Sequence, residues 1–192
     1  MGKKSVDYVN TFLDSGIDIP GSTIYLKGEI DNDTLDIITS GFHLMPPANP
    51  VLVLINSPGG CTYAGMGIYD IIRAHKGQVT TRVVGEACSM GCVILQAGDI
   101  REASENSVLM HHVGETAYSS NHPRNIKERY KFNERHDNRI DALMLERVNE
   151  YMRKMGESEW TMSKWKERDT WDRWYFADEA IKAGLLDRIW RG

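Results

Sequence analysis

Four side chains are of types that could act together on an acyl centre: the hydroxyl of Ser89, the imidazoles of His111 and His112, and the carboxylate of Asp172. Ser89 lies within GEACSMGCVILQAG, residues 85–98. A strand-like run, VTTRVV, leads into this stretch, and Met90, Val93, Ile94 and Ala97 recur at helical spacing beyond it. That pattern predicts a helix beginning near Ser89 with one buried face. A serine there stands among free backbone N–H groups, which would favour an oxyanion formed on it. Ala87 and Gly91 flank it in a half-match to the G-x-S-x-G nucleophile turn. The signal is weak alone, because a serine at a helix start is more often a plain N-cap. A hydroxyl also needs a base. SVLMHH, a candidate strand, ends on His111 and His112, and only one of two adjacent strand residues can face Ser89. Asp172 lies further on, in WDRW. The order Ser, His, Asp differs from those of chymotrypsin, subtilisin and the α/β-hydrolases, so order identifies none of them.

The elements that would position these groups follow from the hydropathy pattern. TIYLKG from Thr23 reads as a strand, and Asp31, Asn32 or Asp33 can cap a helix carrying Leu35, Ile38, Phe42 and Met45, stopped by Pro46-Pro47. VLVLIN (51–56) is an unbroken aliphatic run, suited to a strand covered on both faces. Ser57-Pro58-Gly59-Gly60 reads as a sharp turn, followed by a helix with Ala64, Ile68, Ile71 and Ile72 on one face. QVTTRVV (78–84) is the next strand, and two short strands are expected near 101–104 and 107–112. This alternation predicts an α/β fold with right-handed crossovers. Residues 1–21 read as an arm or loop, and 113–125 as turn-rich. From Ile126 to about Met155 a long helix is expected, charged nearly all round in its first half. In its second half, Ile140, Leu143, Met144, Val148, Tyr151, Met152 and Met155 fall on one packing side. Residues 157–168 read as helical, and the chain should close with a short helix, a turn at Gly184 and a strand.

The 192 residues suit one domain, and a net charge of −4 gives no reason to expect nucleic acid or an anionic membrane as partner. No apolar run approaches the roughly 18 residues of a membrane span, and the opening MGKKSVDYVN is too polar for a secretory signal. Three cysteines, an odd number, suit a reducing compartment and hence the cytoplasm. Cys88 and Cys92 with His111 and His112 are of zinc-ligating types, but small buried thiols are the better reading. His43, His75, His122 and His136 read as surface or structural.

Four blocks, INSPGG (55–60), GEACSMG (85–91), NSVLMHH (106–112) and ERDTWDRW with the later ADEAIKAGLLDRI, closely resemble the Clp protease proteolytic subunit family. The resemblance implies a ClpP/crotonase-like α/β fold: a repeated β-β-α spiral core, with a protruding handle of one strand and a long helix at 113–139. Residues 1–22 would be an N-terminal or axial segment within a single peptidase domain spanning 1–192. It makes Ser89 the nucleophile, His112 the base and Asp172 the group orienting His112. The backbone N–H groups of Gly60 and Met90 become the oxyanion hole, and Gly59-Gly60 lies along the bound peptide. Trp171 and Trp174 would shield Asp172 from water. The family pattern of methionine, one residue, then histidine selects His112 over His111.

The implied activity is a serine endopeptidase acting on peptides and unfolded proteins inside a homo-oligomeric ring, heptameric and single or stacked, with an apolar P1 pocket. It needs no cofactor and no metal. The chain has no G-x-x-x-x-G-K-[ST] loop, so an ATP-dependent AAA+ unfoldase would be a separate partner. The chain departs from the family in residues 1–22, in the handle VGETAYSSNHPRNIKERYKFNERHDN, and at Leu52, Leu54 and Ala74, where the cleft for the unfoldase usually carries aromatics. Alternatives on the same fold are a phage-type capsid maturation protease, a crotonase-like acyl-CoA enzyme and a catalytically silent ring subunit.

Overall fold

The computed structural model describes residues 15–114, 122–168 and 171–192. In chain order the elements are β1 (Ile17–Asp18), β2 (Thr23–Ile30), α1 (Asn32–Leu44), β3 (Val51–Gly60), α2 (Thr62–Ala74), β4 (Val79–Cys88) and α3 (Met90–Leu95). They continue with β5 (Ile100–Ser104), β6 (Val108–His111), α4 (Pro123–Met155), α5 (Met162–Arg168), β7 (Arg173–Phe176), α6 (Ala177–Lys182) and β8 (Arg188–Trp190). The sheet runs β1-β2-β3-β4-β5-β8, and β6 with β7 leaves this path at β4. From β2 to β8 the neighbours on the path are parallel, as strand–helix alternation requires; β1 and β7 each pair antiparallel at an end.

The fork at β4 positions the site. Thr80–Val83 pairs with β5, and Glu86–Cys88 pairs with β6. Between the halves lies Gly85, at φ +103°, where a Cβ would stand 2.6 Å from the Asn56 side-chain oxygen. Only glycine takes that backbone so close to its neighbour without strain. The Asn56 oxygen accepts the Glu86 N–H at 3.3 Å, which holds the redirected half of β4 against β3.

The core lies where α1, α2 and α3 cover the parallel strands. Ile24, Leu26, Val53, Ile55 and Val83 are sealed from solvent, as are Ile38 and Ile68 from the covering helices. Burying such a side chain contributes about 1.5–3 kcal/mol. On the β5–β8 side the contacts are ionic. Glu102, fully buried, joins Arg82 on β4 at 2.6 Å and Arg188 on β8 at 2.7 Å, and these residues are in register across three strands. Arg101 meets Asp187 at 2.9 and 3.2 Å, and donates to Gln96 Oε1 at 2.6 Å and to the Gly184 carbonyl at 2.8 Å. Burial acts to raise the Asp187 carboxyl, but the Arg101 hydrogen bonds and charge together outweigh it and leave it below its ordinary value.

Several boundaries differ from those the sequence suggests. Ile17–Asp18 is not loop; it pairs with Thr23–Ile24. Ser57-Pro58-Gly59-Gly60 is not a turn but the end of β3, which is irregular between Ile55 and Ser57. β4 likewise runs on to Cys88. The helix after Ser89 has six residues, all of them buried, so it is a core plug and not an amphipathic helix. β7, not anticipated, pairs with β6. The long helix begins at Pro123, capped by the His122 side chain. Its second half packs through Ile140, Met144, Val148 and Met152, whereas Met155, expected to pack, is 60% exposed. The first 14 residues of the expected arm and 115–121 of the turn-rich segment, where the handle strand would fall, lie outside the described residues.

Candidate active site

Ser89 follows β4 directly and precedes α3 with φ +51° and ψ −119°, an uncommon and strained backbone for a residue with a side chain. Both sides hold it there. Its N–H donates to the Met110 carbonyl at 2.8 Å, and its own carbonyl accepts the Cys92 N–H at 3.0 Å. The hydroxyl makes no capping bond to the helix, so the plain N-cap reading does not hold. It meets His112 Nε2 at 2.8 Å.

The parallel pairing of β6 with Glu86–Cys88 delivers the histidine. His111, the last residue of β6, turns into the interior, where its ring lies 5.3 Å from that of Trp165. His112, one step on, takes the opposite direction and reaches Ser89. On its far side, His112 Nδ1 lies 3.4 Å from an Asp172 oxygen, immediately before β7. That strand, missed from the sequence, is what returns the chain to β6: His111 is in register with Arg173. The carboxylate is 62% exposed. Trp171 and Trp174 are 77% and 58% exposed. The expectation that they shield Asp172 therefore fails among the described residues, because this segment follows the outer edge of β6 with no described element over it.

Gly59 and Gly60 press against Ser89 and β2. At Gly59, φ +101°, a Cβ would fall 2.7 Å from Ser89 Cβ; at Gly60, φ +148°, it would fall 2.3 Å from the Ile30 carbonyl oxygen. The glycines are needed for the fit of the chain to itself, not only for room beside a bound peptide. Sequence reasoning missed the device that sets them in place. Ser57, fully buried, donates its hydroxyl to the Gly28 carbonyl at 2.6 Å and accepts the Gly59 N–H at 3.1 Å. Its place in INSPGG was the available signal, hidden by the turn-like composition around it. Cys88, beside Ser89, is no rival nucleophile: burial first, then its hydrogen bond to Glu86, pushes its thiol up to about 12. Cys92 is buried as well. Of the other described histidines, His43 is exposed, His75 Nε2 lies 2.8 Å from the Asn49 carbonyl, His122 caps α4 and His136 lies beside Tyr63.

A cleft opens beside Ser89 and His112, lined by Thr62, Met90, Val93, Asp137, Ile140 and Asp141 among others. A hydroxyl, an imidazole and a carboxylate in line on an α/β sheet, beside a cleft, form the geometry of serine-type hydrolysis.

Comparison with known proteins gives the family. The Clp protease family model matches residues 5–192. The chain is 30% identical over 179 residues to the ATP-dependent Clp protease proteolytic subunit 3 of Rhodococcus jostii, covering 87% of this chain and 80% of that one. It is 29% identical over 195 residues to the ATP-dependent Clp protease proteolytic subunit of Deinococcus radiodurans, covering 98% and 86%. The chain belongs to the Clp protease family, whose activity is that of a serine-type endopeptidase. No helix among the described residues is long and apolar enough to cross a membrane.

Proposed function

We propose that Ser89, His112 and Asp172 form the catalytic triad of this peptidase. The observation that carries the reading is the continuous relay from Ser89 Oγ to His112 Nε2 at 2.8 Å and from His112 Nδ1 to Asp172 at 3.4 Å. His112 Nε2, unprotonated, takes the Ser89 proton as Oγ attacks the scissile carbonyl. The carbonyl electrons move to its oxygen, which the N–H groups of Gly60 and Met90 receive; Met90 is the first residue of α3, where N–H groups have no intrahelical partner. Collapse returns those electrons, breaks the C–N bond and passes the proton from His112 to the leaving amine. Water, activated by His112, then hydrolyses the acyl-serine. Asp172 accepts from Nδ1–H and so fixes the tautomer that leaves Nε2 free.

Family membership supports the remaining parts of the proposal. They are one peptidase domain spanning the chain, with residues 1–22 as axial segment and 113–139 as handle. The assembly is a homo-oligomeric heptameric ring, single or stacked, acting on peptides alone and on unfolded proteins delivered by an AAA+ unfoldase in the cytoplasm. The relatives are named as proteolytic subunits of ATP-dependent Clp proteases. The test is a fluorophosphonate probe with mapping of the adduct. A single adduct on Ser89, lost in Ser89→Ala, is expected; labelling that persists in that variant, or maps elsewhere, overturns the assignment.

A further inference from the structure

The cleft beside Ser89 is not the purely apolar pocket that the family resemblance implies. One wall is Val93 from α3 and Ile140 from α4, but Asp137 and Asp141 from α4 line it as well. They are four residues apart, so both carboxylates stand on the helix face that carries Ile140. Asp141 is fixed: its Oδ1 accepts the Trp165 indole N–H at 3.0 Å, Lys166 Nζ lies 3.9 Å from Oδ2, and its side chain is only 16% exposed. Asp137 is half-buried and accepts no hydrogen bond among the described residues, although its neighbours are charged or polar. Burial acts first to raise its carboxyl, Asp141 adds to this, and His136 alone opposes it. The His136 ring is itself engaged between Tyr63 and Phe132, at 5.3 and 6.3 Å. A partly desolvated carboxylate in a substrate cleft is short of a donor.

We propose that this cleft receives the side chain preceding the scissile bond and selects one with an aliphatic stem and a cationic tip, lysine or arginine, with Asp137 as the selecting residue and Asp141 positioned behind it. The proposal rests on Ser89 being the nucleophile. The stem packs on Val93 and Ile140, and the ammonium or guanidinium supplies Asp137 with a charge-assisted hydrogen bond, about twice as strong as a neutral one. A leucine fills the same apolar wall but leaves the carboxylate desolvated and unpaired, and an aspartate adds a like charge.

The experiment uses the full chain and three fluorogenic peptides differing only in lysine, leucine or aspartate before the cleaved bond. Ser89 labelling by fluorophosphonate is recorded on the same samples. Expected is kcat/KM for lysine about tenfold above leucine, with aspartate lowest. In Asp137→Asn, which keeps the size of the side chain, the lysine-to-leucine ratio should fall about tenfold. In Asp141→Asn, which retains an oxygen for Trp165, it should fall less. If Ser89 is labelled and peptides are cut, but that ratio is the same in wild type and Asp137→Asn, the specificity proposal is wrong and the nucleophile stands. If Ser89 is not labelled, the nucleophile assignment fails and this proposal falls with it.

Discussion

The cradle of Ser89, the proposed nucleophile, and the molecule's periphery both carry candidate functional groups, but they are held in different ways. Around Ser89, every support is internal to the chain: the buried plug of α3, the Met110 carbonyl, Gly59 in van der Waals contact and Ser57 beneath it. Asp172 and the first half of α4 lack such cover. Asp172 is 62% exposed, Trp171 and Phe176 are largely bare, and Tyr130 and Phe132 project from a charged helix. The cradle can therefore be complete in an isolated subunit. At the periphery, local geometry rests on exposed ion contacts, Asp172 with His112 and Lys131 with Glu128, and on apolar groups that the described residues leave largely uncovered. The hydroxyl–imidazole half of the relay is thus built by folding, and the carboxylate half is left responsive to its surroundings.

The sharpest test of the cradle is its centre. Ser89→Ala should lower peptide hydrolysis by about 10⁴-fold or more, and His112→Ala nearly as much, because triad members act as a unit. Thermal unfolding of Ser89→Ala should stay close to wild type, since among the described residues the hydroxyl's hydrogen bond is to His112. If His111→Ala is the inactive variant and His112→Ala is active, the strand-face assignment is wrong. Next comes the scaffold. Asp187→Ala strands the buried Arg101 guanidinium and should cost about 3–5 kcal/mol of stability, read by denaturant unfolding. The Asp187 carboxyl is held below its ordinary value when folded. Its stabilising contribution is therefore present above the unfolded value, near pH 4, and is lost as pH falls through the folded one. Asp187→Asn should flatten that acid limb; an unchanged limb would show that other carboxylates govern it.

Asp172 is where the comparison can break. An exposed carboxylate at 3.4 Å is screened by water and salt, so Asp172→Asn should lower kcat/KM by only about 10–100-fold in dilute subunit. If assembly covers Trp171 and Trp174, the same substitution should cost more at concentrations where the subunits associate. Measuring the ratio of wild type to Asp172→Asn across a dilution series decides this. A ratio that stays the same from dilute to concentrated protein would mean that no neighbour completes the acid side.

The parts legible in the sequence are those that periodicity and side-chain type determine. Ile38 and Phe42, or Ile68 and Ile72, announce covered helices, and VLVLIN announces a strand; these elements are found where the pattern puts them, but β3 is sealed only on the face of Val51, Val53 and Ile55, with Leu52 and Leu54 on the other face half-buried. Ser89 and His112 were legible because the hydroxyl and the doubled histidine stand at the ends of elements, where chemistry is exposed. What could not be read is set by backbone and register. Nothing in GEACSMG announces φ +51° at Ser89, and Pro58 with two glycines looks like a turn until β2 is seen beside it. RWYF is too short to announce a strand by alternation. As β7, it lies against β6 at the sheet's edge with Trp174 and Phe176 outward, a place set by long-range pairing.

The smallest expected effect concerns the first half of α4, and it tests whether the periphery is held by charge. Among the described residues, Lys127, Arg129, Glu134, Arg135 and Arg139 stand in or near the helix surface that the resemblance assigns to ring stacking, and Lys131 pairs with Glu128 at 3.1 Å. Exposed pairs of this kind contribute about 0–1 kcal/mol each, and at 1 M salt the screening length is only about 3 Å. If rings stack through these charges, light scattering across a salt series should show a double ring dividing into single rings, or a single ring throughout. Ser89 labelling should hardly change, because the groups that hold Ser89 in place, the Met110 carbonyl, Gly59 and α3, lie outside the handle. Tyr130 and Phe132, 58% and 45% exposed, offer the opposing outcome. Apolar burial is not screened by salt, and excluded salts strengthen it. A double ring that persists to about 1 M salt and falls apart in Phe132→Ser would place the joint on the aromatics, leaving the charges as solvated surface.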